Sequence, residues 1–268
     1  MDPGDAIVAA KWTWGVGRWI ARRKFVRRWS DKSKLKLLTP LHHGFLHAAR
    51  RLSCQMHQEW DRHHAIAANL AVDVCTACRM GMGGLVNLSP NQLHCCLKVV
   101  LPQIDGGSER VGTWGRSTPT DGRPQDLDDD QAHLVDENSV WCALTGRFDG
   151  ETHWPEGLTC FSCNDLAKYG SKFHCTRPHW SKYYHSVLVF PLRYAQNTAG
   201  TLMGNVGFLA FDSHKTNAFP EIPDIFNYVE RPAEYLDALH KTPAFHLGAL
   251  FADTLGTFLG SAYDSSRH

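Results

Sequence analysis

The 268-residue sequence contains no apolar run long enough to cross a bilayer, which takes about 20 residues in succession. Its start, MDPGDAIVAAKW, lacks the basic opening and long apolar middle of a secretory signal. Net charge is nearly absent: 28 Lys and Arg face 27 Asp and Glu. The chain as a whole therefore gives no reason to expect a polyanionic partner. There is no P-loop, no glycine-rich dinucleotide fingerprint and no Ser/His/Asp elbow. Nine cysteines make an odd count, and Cys95 and Cys96 are adjacent in a strand-like run. A disulfide framework is not expected, and a reduced, cytoplasmic setting is.

The chain that remains is of ordinary globular composition, 43% hydrophobic and 21% charged. Its even charge hides a strong local asymmetry. Residues 11–36 carry ten Lys and Arg with Asp31 the only acid among them. Trp12, Trp14, Trp19, Phe25 and Trp29 are interleaved with the bases. On a helix, Trp12, Trp19, Val26 and Trp29 fall near one side. Residues 1–40 are thus expected to be a basic aromatic helical arm. Arg18, Arg22, Arg23, Arg27 and Arg28 are its candidates for contacting an anionic membrane surface, nucleic acid or an acidic protein. Docking on a membrane surface would make the protein peripheral to it. The alternative is a solvated arm whose tryptophans pack on the domain. Pro40 marks the boundary with residues 41–268.

From Phe45 to Cys78 apolar residues recur at steps of three and four. This predicts one long helix, or two broken near His63–His64, ended by GMGG at 81–84. Gln92–Leu101 reads as a strand. Residues 102–137 read as a long insertion, Gly/Ser/Thr-rich and then acidic, with seven acids from Asp121 to Glu137. Ser139–Phe148 reads as another strand. Two apolar runs, Val187–Leu192 and Val206–Phe211, flank a polar Gly-containing turn and are expected to pair antiparallel at the centre of a sheet. Leu247, Leu250, Phe251, Leu255, Phe258 and Leu259 mark the apolar face of a closing helix.

The segments YYHSVLVFPLRY and GNVGFLAFDS resemble the central strand pair of GAF domains, and CNDLAKY is similar to the loop and short helix that lid the pocket in that family. The resemblance spans roughly residues 45–262. It implies an α+β fold: a GAF-like central antiparallel sheet with long N- and C-terminal helices packed on one face. It also implies a sensor or adaptor that binds a small molecule and signals to a protein partner, or across a homodimer, through its terminal helices. The implied ligand pocket would be lined by Trp141, Asn164, Asp165, Tyr169, Tyr184, Ser186 and Phe190. Asn164 and Asp165 have a competing and preferred reading as N-caps of the short helix starting at Leu166. No cyclic-nucleotide signature is evident, no cysteine stands in a bilin-attachment context, and the ligand is left unspecified.

Two CxxC pairs occur, at Cys75/Cys78 and Cys160/Cys163. The first falls within the helical stripe, where Cys acts as a small apolar residue. Cys160, Cys163, Cys175 and His179, with His174 as substitute, are the alternative set, thiolate and imidazole ligands suited to a structural zinc. Cys142, Cys160 and Cys163 are the candidates if the fold carries thiol redox catalysis instead, as some proteins of the resembled family do. A third possibility is a ligand-free scaffold subunit. For the arm, deleting residues 1–38 is expected to leave the domain folded and to weaken retention on anionic lipid or nucleic-acid columns. Unchanged retention would contradict the docking role.

Overall fold

The computed structural model describes residues 45, 49, 65–101, 109–117, 133–147, 154, 158–170, 172–175, 180–195 and 203–266. The chain divides into units Met1–Thr39 and Pro40–His268, and every described residue belongs to the second. The basic arm, with Arg18, Arg22, Arg23, Arg27 and Arg28, lies outside the described residues, as do His179 and most of the acidic insertion.

The fold is α+β. Six strands form one antiparallel sheet: β1 (His94–Leu101), β2 (Arg110–Arg116), β3 (His133–Leu134), β4 (Phe161–Cys163), β5 (Ser186–Ala195) and β6 (Met203–Ser213), in the order β3-β2-β1-β6-β5-β4. The two apolar runs are neighbours, as their pattern predicts, and the pairing runs from Ser186↔Ser213 to Ala195↔Met203. Residues 186–192 and 206–213 are buried throughout, which accounts for apolar side chains on both faces of each strand. Pro191 is tolerated inside β5 because β4 pairs only with Val187–Val189. The ladder on that side has already stopped at Pro191.

Four helices are described: α1 (Ala65–Val86), α2 (Ser139–Thr145), α3 (Pro232–Leu239) and α4 (Pro243–Ser266). α1 packs on β1 and β2, α4 on β5 and β6, and the two helices touch each other. They therefore share one face of the sheet. α4 reaches that face through small residues four apart. Ala244, Gly248, Ala252, Gly256 and Gly260 form a buried seam, flanked by the buried Phe251, Leu255 and Leu259. A Cβ at Gly248 would overlap the Phe190 ring, one at Gly256 the Arg193 backbone, and one at Gly260 the Tyr194 ring. The helix thus lies closer to β5 than side chains of ordinary size would permit.

Three sequence expectations need correction. Ser139–Phe148 is not a strand: its first seven residues form α2, capped by Asn138, whose Oδ1 accepts from Val140 N at 2.9 Å, and closed by Gly146 at φ 70°. Because Ser139–Leu144 are all buried, no apolar–polar period was left to reveal the helix. The insertion is not loop throughout, since β2, β3 and a 3-10 turn at Val135–Glu137 lie within it. β2 (RVGTWGR) carries two glycines and few apolar residues, and it is held by its ladder to β1. GMGG does not end α1. The helix runs on to Val86, and Asn87 takes the left-handed turn at φ 56° while Leu88 N donates to Gly83 O at 3.0 Å. That six-to-one bond with a left-handed residue is a Schellman closure one turn beyond the glycines. Gly81 instead faces Phe251 of α4, where an added Cβ would stand 3.1 Å from the ring. The segment CNDLAKY does carry a short helix, a 3-10 turn at Leu166–Tyr169, and the edge strand β4 leads into it, hidden in TCFSC by its length of three residues.

Gly256→Ala drives a methyl group into the Arg193 backbone, which cannot swing aside as a side chain can. We expect about 1–3 kcal/mol of destabilisation by chemical denaturation. A loss within error of zero would contradict the close α4–β5 contact.

Candidate functional site

The strand registers sort the sheet's side chains into two sets. Phe190 packs on Phe245 of α4 at 6.1 Å, and its cross-strand partner Leu209 points the same way. Val187, Val189, Ala210, Asp212, Cys96 and Lys98 point to the other face, where α2 lies. There Trp141 of α2 packs on Phe208 with ring centroids 4.5 Å apart.

A cleft of about 80 Å³ opens on this second face. Its polar lining is Lys98, Arg116, Asn138, Asp212, Cys175 and Tyr184. Trp141, Phe173, Val187 and Val189 supply much of its apolar wall. Lys98 Nζ donates to Thr113 Oγ1 at 2.8 Å and stands 5.9 Å from the Trp141 ring centroid, within range of the ring's negative face. Asn138 does two things at once. Its Oδ1 caps α2, and its Nδ2 donates to Cys175 Sγ at 3.3 Å. His174 N donates to Ser139 Oγ at 2.8 Å, and Ser139 N to His174 O at 3.0 Å. These bonds fasten α2 to the 173–175 segment, so the two sides of the cleft are tied at their base. Phe173, Trp180 and Tyr184 form an aromatic series beside it, at 4.9 and 5.9 Å. Trp141 Nε1 is buried and has no hydrogen-bond acceptor among the described residues.

Of the expected pocket residues, the structure brings Trp141 and Tyr184 into this cleft and leaves the other five elsewhere. Phe190 faces α4 instead. Asn164 braces the 214–224 loop: its Nδ2 donates to Phe219 O and Ile222 O at 2.8 and 2.9 Å, and its Oδ1 accepts from Phe219 N at 2.8 Å. Ser186 Oγ donates to Asn164 O and Lys215 O, both at 2.7 Å. Tyr169 stacks on Phe226 at 4.5 Å and donates to Asn227 Oδ1 at 2.9 Å. Asp165 stands at the N-cap position of the Leu166–Tyr169 3-10 turn without a side-chain bond to it, and Asn164 does not cap it either. Lys98, Arg116, Asn138 and Asp212 were missed by sequence reasoning. The signal available for Lys98 was a lone charge inside HCCLKVVL, a strand otherwise apolar at that end.

The cysteine constellation comes apart. Among the described residues, no three His, Cys, Asp or Glu side chains are placed to hold a metal ion. Cys160 and Cys163 are three residues apart along extended chain, so they point to opposite faces. Cys160 Sγ lies 3.6 Å from Tyr235 Oη, whereas Cys175 Sγ lies 3.4 Å from Tyr184 Oη in the cleft. Cys142 is fully buried and donates to Val135 O at 3.3 Å. Burial pushes the Cys160 and Cys163 thiols from 9.0 up to about 12. Each is therefore held as the protonated thiol, the poor nucleophile, against the requirement of redox catalysis.

Fold and cleft together define an α+β domain with one sheet face closed by two long helices and a small cleft on the other. No protein-family model matches the chain, and no curated protein matches it.

The raised thiol values carry a pH dependence. Folding favours the protonated form of Cys160 and Cys163, so their contribution is complete below pH 9.0 and is lost as pH climbs towards about 12. Melting temperature should hold steady around neutrality and fall above about pH 9, with a shallower fall in Cys160→Ala/Cys163→Ala. An identical slope in the double variant would contradict the burial argument.

Proposed function

We propose that this chain is a GAF-like sensory or adaptor domain whose cleft beside Trp141 takes a small molecule and whose terminal helices pass the event to a partner. One observation carries the reading: β5 serves both faces. Val187 and Val189 line the cleft, while Leu188, Phe190 and Leu192 are buried on the alternate side, with Phe190 against α4. A ligand that shifts β5 has no slack to absorb the shift, because Phe190 and the backbone of Arg193 abut glycines. The movement therefore reaches α4. Only the difference in ligand affinity between two α4 positions does work on the helix.

The cleft also bounds the ligand. At about 80 Å³ it is several-fold smaller than the roughly 300–1,000 Å³ that encloses drug-sized molecules. A nucleotide or tetrapyrrole does not fit. No described helix is long and apolar enough to cross a membrane, so attachment to an anionic surface falls to the basic arm in this proposal.

The test is a small-fragment library screened on the intact protein, followed by the indole N–H resonance of Trp141 and the amides of α4. Hits should move both sets together, and Trp141→Phe should abolish the indole signal while keeping the fold. Hits that move the indole and leave α4 unmoved would contradict signalling through the helix. A library without any hit at Trp141 would contradict the ligand site itself.

A further inference from the structure

Three cysteines that the cleft does not use meet on the helical face of the sheet. Cys96 lines the cleft, so its neighbour Cys95 points the other way, towards α1. α1 presents Cys75 and Cys78 one turn apart on a single face. The helix lies close to the sheet there. A Cβ added at Gly115 of β2 would stand 2.5 Å from Ala71 Cβ, one turn before Cys75. Cys75 Sγ donates to Gly115 O at 3.4 Å, and Gly115 pairs with Leu97, two residues along β1 from Cys95. Side-chain contacts join the Cys95 thiol to that of Cys75 and to that of Cys78. Cys95 is thus the shared neighbour of two thiols on the helix. All three are buried and free. Among the described residues no three such side chains are placed to hold a metal ion, so thiol chemistry is what this cluster has to offer.

We infer that Cys75, Cys78 and Cys95 form a redox clasp, in which a hydroperoxide converts Cys95 and one of the two α1 cysteines into a disulfide that pins α1 to β1. One thiolate attacks the peroxide, so that an S–O bond forms, the O–O bond breaks, and the leaving oxygen takes a proton as water or alcohol. The second thiol attacks the resulting sulfenic acid, so that the S–S bond forms and the oxygen leaves as water with that thiol's proton. Two thiols lose two electrons and the peroxide gains them. The third thiol, beside Cys95, exchanges into the same bond by displacing its neighbour as thiolate. The clasp is gated. Burial is the main cause that raises all three thiols, so with α1 seated they stay protonated and inert. Lifting α1 exposes them together, and oxidation before it reseats fixes the helix to the strand.

The test treats the intact wild-type protein with hydrogen peroxide, blocks remaining thiols with a maleimide and digests it with trypsin without reductant. Cys75 and Cys78 fall on peptide 63–79, and Cys95 and Cys96 on peptide 80–98. The two peptides should emerge joined, with fragment ions placing the bond at Cys95, and dithiothreitol should separate them. The joining should quicken in urea below the unfolding transition, as α1 opens more often. A bond at Cys96, a bond within peptide 63–79, or oxidation that bypasses these peptides would overturn the clasp. A rate indifferent to urea would overturn its gating. Cys75→Ser and Cys78→Ser, each checked by its amide spectrum, should keep the crosslink through the remaining α1 thiol, whereas Cys95→Ser should lose it. Loss of the crosslink in a folded Cys75→Ser or Cys78→Ser would overturn the shared role of Cys95. The wild-type map needs no variant, so a misfolded Cys95→Ser would not rescue the inference.

Discussion

The approach of α4 to β5 governs the rest of this structure. Small residues at every fourth position let the helix lie on the strand with glycine against ring and glycine against backbone. The strand is then trapped. One set of its side chains is pressed under the helix, and the other set is left to form a wall on the far side. Packing at such density leaves no void to take up movement. This close contact between the two faces is the physical basis of the proposed sensory role.

The polar groups follow from the same division. Asn164, Ser186, Ser213 and Asp224 are spent on holding the 214–224 loop and the strand ends: Ser213 Oγ donates to Gln92 O, and Asn164 N donates to Asp224 Oδ1 at 2.6 Å. Such bonds contribute modestly when made and cost more when one partner is lost, so these residues are structural. The groups left to the cleft are those on the opposite face, where α2 is clamped by Asn138 and Ser139. Cysteine is divided in the same manner. Cys75 and Cys95, between α1 and β1, have their thiols raised well above the ordinary value, with burial as the main cause. Cys175 alone among the described cysteines is half-exposed, and it lies in the cleft.

Much of the frame was legible in the sequence. The β5–β6 pair, β1 and α4 each announced themselves through length and apolar pattern, because those segments are long enough for burial to leave a period or an unbroken run. α2 was misread because a helix buried on every side has no polar stripe. β2 and β4 were invisible because one is glycine-bearing and the other three residues long, so both are made by pairing and not by propensity. The α4 seam was also missed. A search for large apolar residues finds Phe251 and Leu255, whereas the intimate contact is made by glycines that carry no hydropathy signal. Of the cleft, Trp141 and Tyr184 were legible through the family resemblance. Lys98, Arg116 and Asp212 were not, since converging side chains from three strands requires the register.

Amide hydrogen exchange on the whole chain tests the trapped strand most directly. If β5 is locked between α4 and the cleft wall, the amides of 187–192 that bond within the sheet should exchange only through global unfolding, at the same free energy as the α4 core. Exchange of β5 through a separate opening of lower energy, with α4 still protected, would contradict the account.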